Sequence, residues 1–147
     1  KDNFFEKIKI VDIIKFNFDK FNTNKKLKIS NLIKGEDAKI IFKDEIMYAI
    51  GNIIQNGIIY SKTIVNVEIK VLYDELFLVI SDDGRGFPRD IIDKLGEPYI
   101  SKNKKGMGLG IFIAKNLIEN MKGKVLFYNS NVNNAVVEIK FNKSILC

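Results

Sequence analysis

Histidine is absent from this 147-residue sequence. Its absence excludes imidazole acid–base catalysis, histidine metal ligation and a Ser-His-Asp triad built within the chain. Cysteine occurs once, as the last residue, Cys147. No internal disulfide can form, nothing suggests a secreted disulfide scaffold, and a reducing compartment is the expectation. No apolar run reaches the roughly 20 residues that cross a bilayer, and no charged-then-apolar leader with a small-residue cleavage site is present. A soluble, cytoplasmic piece is expected. It opens on Lys1 rather than Met, which reads as part of a longer protein and leaves room for an inner-membrane anchor upstream.

What is present supports a packed domain. Hydrophobic residues make up 46% of the chain, enough for one core, and no linker or internal repeat divides it, so residues 1–147 are read as a single domain. The formal charge is +6, but the lysines are scattered among asparagines and isoleucines, the pattern of a solvated surface. Nucleic acid is not an expected partner.

Periodicity gives the elements. Ile8 to Val11 reads as a short strand, with Asp12 the N-cap of a helix that carries Ile13, Ile14, Phe16 and Phe18. Lys26 to Ile29 and Lys39 to Phe42 are strand candidates on either side of the turn-like Lys34-Gly35-Glu36-Asp37. From Asp44 to Tyr60, Ile46, Met47, Ile50, Ile53, Ile54 and Ile58 recur at helical spacing, with Gly57 on the same side. Ile64 to Val71 and Leu76 to Ile80 form a hairpin about Tyr73-Asp74-Glu75. A second helix, Gly108 to Met121, turns Ile111, Ile113, Ala114, Leu117 and Ile118 inward and stops at Gly123. Strands Lys124 to Asn129 and Val136 to Phe141 close the chain. The fold class expected is α+β: a two-layer sandwich with helices on one face of a mixed, mainly antiparallel sheet.

Three constellations carry candidate chemistry. Asn52 and Asn56 are four apart on the long helix, so their carboxamides share one face, and Tyr60 continues that row. A carboxamide oxygen is a suitable neutral ligand for Mg²⁺. Asp82-Asp83-Gly84-Arg85-Gly86 ends a buried strand with an acid followed by alternating glycines. A carboxylate there can accept a hydrogen bond from an exocyclic amine, and the glycines allow close approach of a ligand. Gly106-Met107-Gly108-Leu109-Gly110 opens the second helix after Lys102, Lys104 and Lys105. Free N–H groups at a helix start, glycines and lysines together favour an anion. Taken singly, each has a plain alternative: solvated asparagines, an ordinary Asp-Gly turn and a flexible glycine loop. Their order and placement beside the matching elements make the combination specific.

On these residues the sequence resembles the histidine kinase ATPase domains of the GHKL superfamily, with its Bergerat ATP-binding fold. Asn52 to Asn56 looks like the N box, Asp82 to Gly86 the first glycine box and Gly106 to Gly110 the second. Leu95 to Ser101 and Gly106 to Lys115 look like the RegB/PrrB group of redox-responsive kinases. The resemblance implies ATP and Mg²⁺ as cofactors. Asn56 would hold the metal, Asn52 would assist it or the phosphates, and Asp82 would take the adenine amine beside Tyr60, Gly84 and Gly86. Lys102, Lys105, Gly106, Gly108, Leu109 and Gly110 would lie along the phosphates.

It also implies the partners: a phosphoacceptor and dimerisation domain of the same parent, then a response regulator. The isolated domain would be a monomer and the parent a homodimer. The gyrase-like and chaperone relatives resemble one another in carrying a water-activating glutamate where Asn52 stands; a carboxamide cannot take that proton. Phosphoryl transfer to a histidine of the parent is therefore the expected reaction, with a serine protein kinase of the anti-sigma-factor type, or a non-catalytic nucleotide-dependent module, as alternatives. Gly57 and Ile59 depart from the family pattern, which favours alanine and a basic residue there; Lys62 or a lysine of the lid would compensate. The lid, between Gly86 and Gly106, includes both prolines, Pro88 and Pro98, and shows no structure of its own.

Overall fold

The computed structural model describes residues 6–21, 23–34, 38–95, 97 and 107–147. In chain order the elements are β1 (Lys7–Lys9), α1 (Ile10–Asp19), β2 (Lys26–Asn31), β3 (Lys39–Ile41), α2 (Asp44–Tyr60), β4 (Ile64–Leu72) and β5 (Glu75–Asp82). They continue as α3 (Arg89–Ile92), α4 (Met107–Asn120), β6 (Lys124–Asn129), β7 (Ala135–Asn142) and a closing 3₁₀ turn.

Five strands form the main sheet in the order β2-β4-β5-β7-β6; β2 and β4 are parallel and the remaining pairs antiparallel. β1 and β3 make a separate antiparallel pair. One face of the main sheet is apolar because β4 and β5 alternate strictly, burying Val65, Val67 and Ile69 on one strand and Leu76, Leu78 and Ile80 on the other. Helix α2 lies centrally on that face, between α1 and α4. The result is the expected α+β sandwich with a mixed, mainly antiparallel sheet.

Helix α2 has the predicted bounds. It buries Ile46, Ala49, Ile50, Ile53, Ile54 and Ile58, and each fully buried isoleucine contributes about 1.5–3 kcal/mol. A Cβ on Gly57 would meet Val65 at 3.5 Å, an ordinary contact, so the alanine expected from the family pattern would fit there.

Several expectations are corrected. Asp12 is not an N-cap: the cap is Lys9, three residues earlier, because Ile10 belongs to the buried helical stripe with Ile13 and Ile14. Asp12 lies in the first turn, where its charge complements the helix dipole. At the end of α4 the left-handed residue is Lys122 (φ 66°), not Gly123. Gly123 is required for space instead, since a Cβ there would lie 2.7 Å from Ile118 and 2.9 Å from the Lys140 carbonyl. Ile113 is only half-buried. Part of the segment after Gly86 does have structure, the single turn α3, in which Ile92 N–H donates to the Pro88 carbonyl at 3.0 Å. Residues 35–37 and 98–106 lie outside the described residues, and with them most of the expected turn at Lys34 and the rest of the lid.

The hairpin between β4 and β5 turns on Tyr73 (φ 51°) and Asp74 (φ 64°), the two left-handed positions of a two-residue connection. Its register delivers Asp82 and Asp83 to the end of β5, next to the α2–β4 turn. There Asp83 accepts hydrogen bonds from the backbone of Lys62 (2.8 Å), Thr63 (2.9 Å) and Ile64 (3.2 Å) and from the Thr63 hydroxyl (2.6 Å). Desolvation opposes its ionisation, but these donors outweigh it and hold the carboxyl well below the usual carboxylate range.

A carboxylate depressed in this way stabilises the fold above its unfolded pKa of about 3.9 and loses that contribution as pH falls through the folded value. Asp83→Ala is expected to lower unfolding free energy by about 1–3 kcal/mol at neutral pH, measured in urea, with the deficit shrinking below pH of about 4. An equal deficit at both pH values would contradict this assignment.

Candidate functional site

The amphipathicity of α2 places its polar row. Its apolar stripe is committed to the core, which leaves Asn52 and Asn56 half-buried at the stripe's margin and Tyr60 at the end of the helix, 37% exposed. Asn52 lies under the first turn of α4, where a Cβ on Gly110 would come within 3.6 Å of its Oδ1. Its Nδ2 is buried with no hydrogen-bond partner among the described residues, an unmet donor that calls for an acceptor. Burial pushes the Tyr60 phenol up, so it remains a neutral hydroxyl.

Asp82, 6% exposed, ends β5 beside this row. Burial pushes its carboxyl above the usual range, aided by the charge of Asp83; the Gly84 N–H, 2.7 Å from Oδ1, and Lys25 pull the other way without cancelling the effect. The two adjacent acids thus have opposite environments. Asp83 is engaged by a turn, whereas Asp82 faces a cleft of about 290 Å³ lined also by Asn56, Tyr60, Gly86, Phe87 and Ala135. Arg85 and Pro88 line it as well.

The glycines are there for space. A Cβ on Gly84 would collide with the Tyr60 carbonyl and come 2.9 Å from Asp82 Oδ1, so only glycine lets this loop lie against the end of α2. Gly86 has φ +86°, and a Cβ there would strike the Asn133 carbonyl.

Three contributors have no motif to announce them. Asn129, the last residue of β6, grips the Phe87 backbone at both ends: Phe87 N–H donates to its Oδ1 at 2.8 Å and its Nδ2 donates to the Phe87 carbonyl at 3.0 Å. Asn134 Nδ2 donates to the Gly84 carbonyl at 2.9 Å. The β6–β7 hairpin therefore braces the Asp-x-Gly-x-Gly loop from outside. Lys25 Nζ caps α2, donating to the carbonyls of Ile58 (2.6 Å) and Ser61 (2.7 Å). In sequence these are two asparagines and a lysine among many, and their partners are 33 to 50 residues away.

Not every predicted residue enters the cleft. Asn56, Tyr60, Asp82 and Gly86 line it; Asn52 and Gly84 are outside the lining, as are Leu109 and Gly110 of the first α4 turn. Lys102, Lys105 and Gly106 lie outside the described residues. Ile59 is 54% exposed, and Lys62 is exposed with its backbone N–H given to Asp83. Among the described residues no cluster of three or more His, Cys, Asp or Glu could hold a metal, so a cation here would depend on carboxamide oxygen and on its ligand's own oxygens. No helix among the described residues is long and apolar enough to cross a membrane.

This arrangement can bind a flat, amine-bearing ring against a buried carboxylate, with the Asn56 carboxamide oxygen on the same cleft for a cation. Residues 42–145 match the family described as histidine kinase-, DNA gyrase B-, and HSP90-like ATPase. The sensor histidine kinase RegB of Cereibacter sphaeroides is 30% identical over 102 residues, 62% of this chain and 22% of that protein. A putative NtrY-like sensor histidine kinase of Rickettsia conorii is 35% identical over 78 residues, 53% of this chain and 13% of that protein. The chain thus spans about a fifth or less of the curated relatives it matches.

Among solved structures, the nucleotide-free catalytic domain of histidine kinase ThkA superposes with a TM-score of 0.78 at 19% identity, covering 96% of this chain and 97% of that one. The mycobacterial sensor histidine kinase MprB gives 0.76 at 17% identity, covering 95% and 97%. These two likenesses establish the fold, and the family match supplies the rest. The chain belongs to the family of histidine kinase-, DNA gyrase B- and HSP90-like ATPases.

Proposed function

We propose that this domain binds ATP with Mg²⁺ in the cleft between α2 and the glycine loop and passes the γ-phosphoryl group to a histidine on a helical dimerisation domain of its parent. The observation that carries this reading is the Asn52–Asn56 row, whose Asn56 lines the same cleft as Asp82, with a carboxamide rather than a carboxylate at position 52.

Each residue has a distinct task. Asp82 accepts the adenine exocyclic amine, and its burial makes an unmatched base costly. Gly84 and Gly86 let the loop backbone lie along the ring, while Asn129 and Asn134 fix that loop. Asn56 offers its carboxamide oxygen to Mg²⁺, and the unmet Asn52 Nδ2 suits a phosphate oxygen. The N–H groups opening α4 would favour the negative charge of the phosphates. When bound, Mg²⁺ supplies charge neutralisation on the phosphates.

Hydrolysis is slow on this reading because Asn52 cannot accept a proton from water, Asp83 is consumed by its turn, and Asp82 is engaged by Gly84 and adenine. The attacking nitrogen of the incoming histidine forms the new bond to phosphorus, the bond from the γ-phosphorus to the ADP oxygen breaks, and ADP leaves. The domain contributes positioning and electrostatics. A response regulator would receive the phosphoryl group in turn. The domain on its own would be a monomer and the parent a homodimer.

Incubation with labelled ATP should leave this chain unphosphorylated and release phosphate slowly; adding the parent's histidine-bearing domain should yield an acid-labile, base-stable phosphoprotein on that domain. No transfer with that domain supplied, under conditions where ATP binds, would overturn the kinase reading. Asp82→Asn is expected to weaken ATP binding by about tenfold to a hundredfold in calorimetry. Wild-type affinity should fall as pH drops toward the raised Asp82 midpoint, above the ordinary value of about 3.9, because the protonated acid no longer accepts from the amine. Asp82→Asn should lack that dependence; unchanged affinity would remove Asp82 from the adenine role.

A further inference from the structure

Helix α1 contains one polar residue that the fold does not explain. Asn17 is 0% exposed. Its Nδ2 donates to the Ile13 carbonyl at 2.9 Å, which fixes the orientation of the amide, and its Oδ1 has no hydrogen-bond partner among the described residues. That oxygen is directed at α2: a Cβ on Gly51 would lie 2.7 Å from it, closer than real side chains approach. Only the α-hydrogen that glycine carries in place of Cβ fits there, a weak donor to the oxygen.

Two individually unfavourable choices meet at this point, a buried carbonyl oxygen without a strong partner and a glycine in the interior of a long helix. Apolar packing on both sides would hold the two helices together at lower cost. The place matters because the next residue is Asn52, clasped from the other side by the opening turn of α4 at Gly110. Contact with α1 at residue 51 and with α4 at residue 52 together fix how deep α2 sits and how it is rotated. Asn56 follows rigidly one turn later.

We propose that Asn17 is a positioning residue for the Asn52–Asn56 row: its close approach to Gly51 sets α2 so that both carboxamides meet the metal-bound triphosphate. This rests on the reading of that row given above. Asn17 touches neither the cleft nor any reacting atom and acts through α2 alone.

The test is calorimetric titration of the whole chain with adenylyl imidodiphosphate, with and without Mg²⁺, alongside thermal melting. Asn17→Leu keeps the branched shape and removes the unmet oxygen, setting a bulkier methyl group against Gly51. It is expected to remain folded by thermal melting while its affinity for the Mg²⁺-loaded nucleotide falls about tenfold, the scale of losing a residue that orients a metal ligand, with a smaller loss of Mg²⁺-free affinity. A stable Asn17→Leu that binds the Mg²⁺-loaded nucleotide like wild type would overturn the proposal.

Gly51→Ala crowds the same contact from α2 and should show the same selective loss, and Asn17→Ala/Gly51→Ala should recover most of it. If Asn17→Leu fails to fold, the Gly51 pair decides, and wild-type binding by Gly51→Ala overturns the proposal. Wild type that binds the analogue with no help from Mg²⁺ would instead sink the reading of the asparagine row, and this proposal with it.

Discussion

Burial of one face of α2 is the constraint on which the rest of the molecule depends. The helix is enclosed by α1, α4 and the sheet, and its isoleucines cannot rotate out without exposing the centre of the core. That fixes where the remaining face points. Asn52, Asn56 and Tyr60 are therefore held in a row by apolar packing behind them rather than by polar contacts of their own. Such a row can keep an unsatisfied Asn52 amide available, because its position does not rely on that amide being bonded.

Electrostatics then divides the work between two neighbouring acids. Asp82 and Asp83 differ by one residue and by the face of β5's end on which each side chain emerges. Asp83 meets four donors from the α2–β4 turn and is tied down as a carboxylate; Asp82 meets one and is left on the wall of the cleft at a cost in solvation. A buried acid with few partners is a poor stabiliser and a selective acceptor, which is the property an adenine site requires. The glycines beside it follow the same logic, since each occupies a point where backbone or carboxamide oxygen leaves no room for a side chain.

Legibility in the sequence followed the range of the interaction. Helix α2 could be bounded to the residue because its periodic isoleucines and its Asn row are both local patterns. The β4–β5 hairpin was visible for the same reason, with its turn between alternating strands. The start of α1 is not local: Asp12 has the chemistry of a cap, while the burial of Ile10 decides the boundary. Gly123 does follow the end of α4, but for a reason of packing: the chain turns left-handed at Lys122, and Gly123 makes room for Ile118 and the β7 backbone. The strand order, with β2 parallel to β4, and the brace formed by Asn129, Asn134 and Lys25 depend on pairings across tens of residues that no local pattern encodes.

The account's central claim is spatial: one cleft, bounded by the Asn row and the Asp82 loop, receives the nucleotide. Amide and carboxamide NMR of the chain titrated with adenylyl imidodiphosphate and Mg²⁺ tests it most directly. The Asn52 and Asn56 side-chain carboxamides and the backbone signals of Asp82, Gly84 and Gly86 are predicted to shift, with Asn56 responding to Mg²⁺ and the β1–β3 pair unaffected. Shifts confined to any other surface, with the Asn56 and Gly84 signals unmoved at saturation, would contradict it.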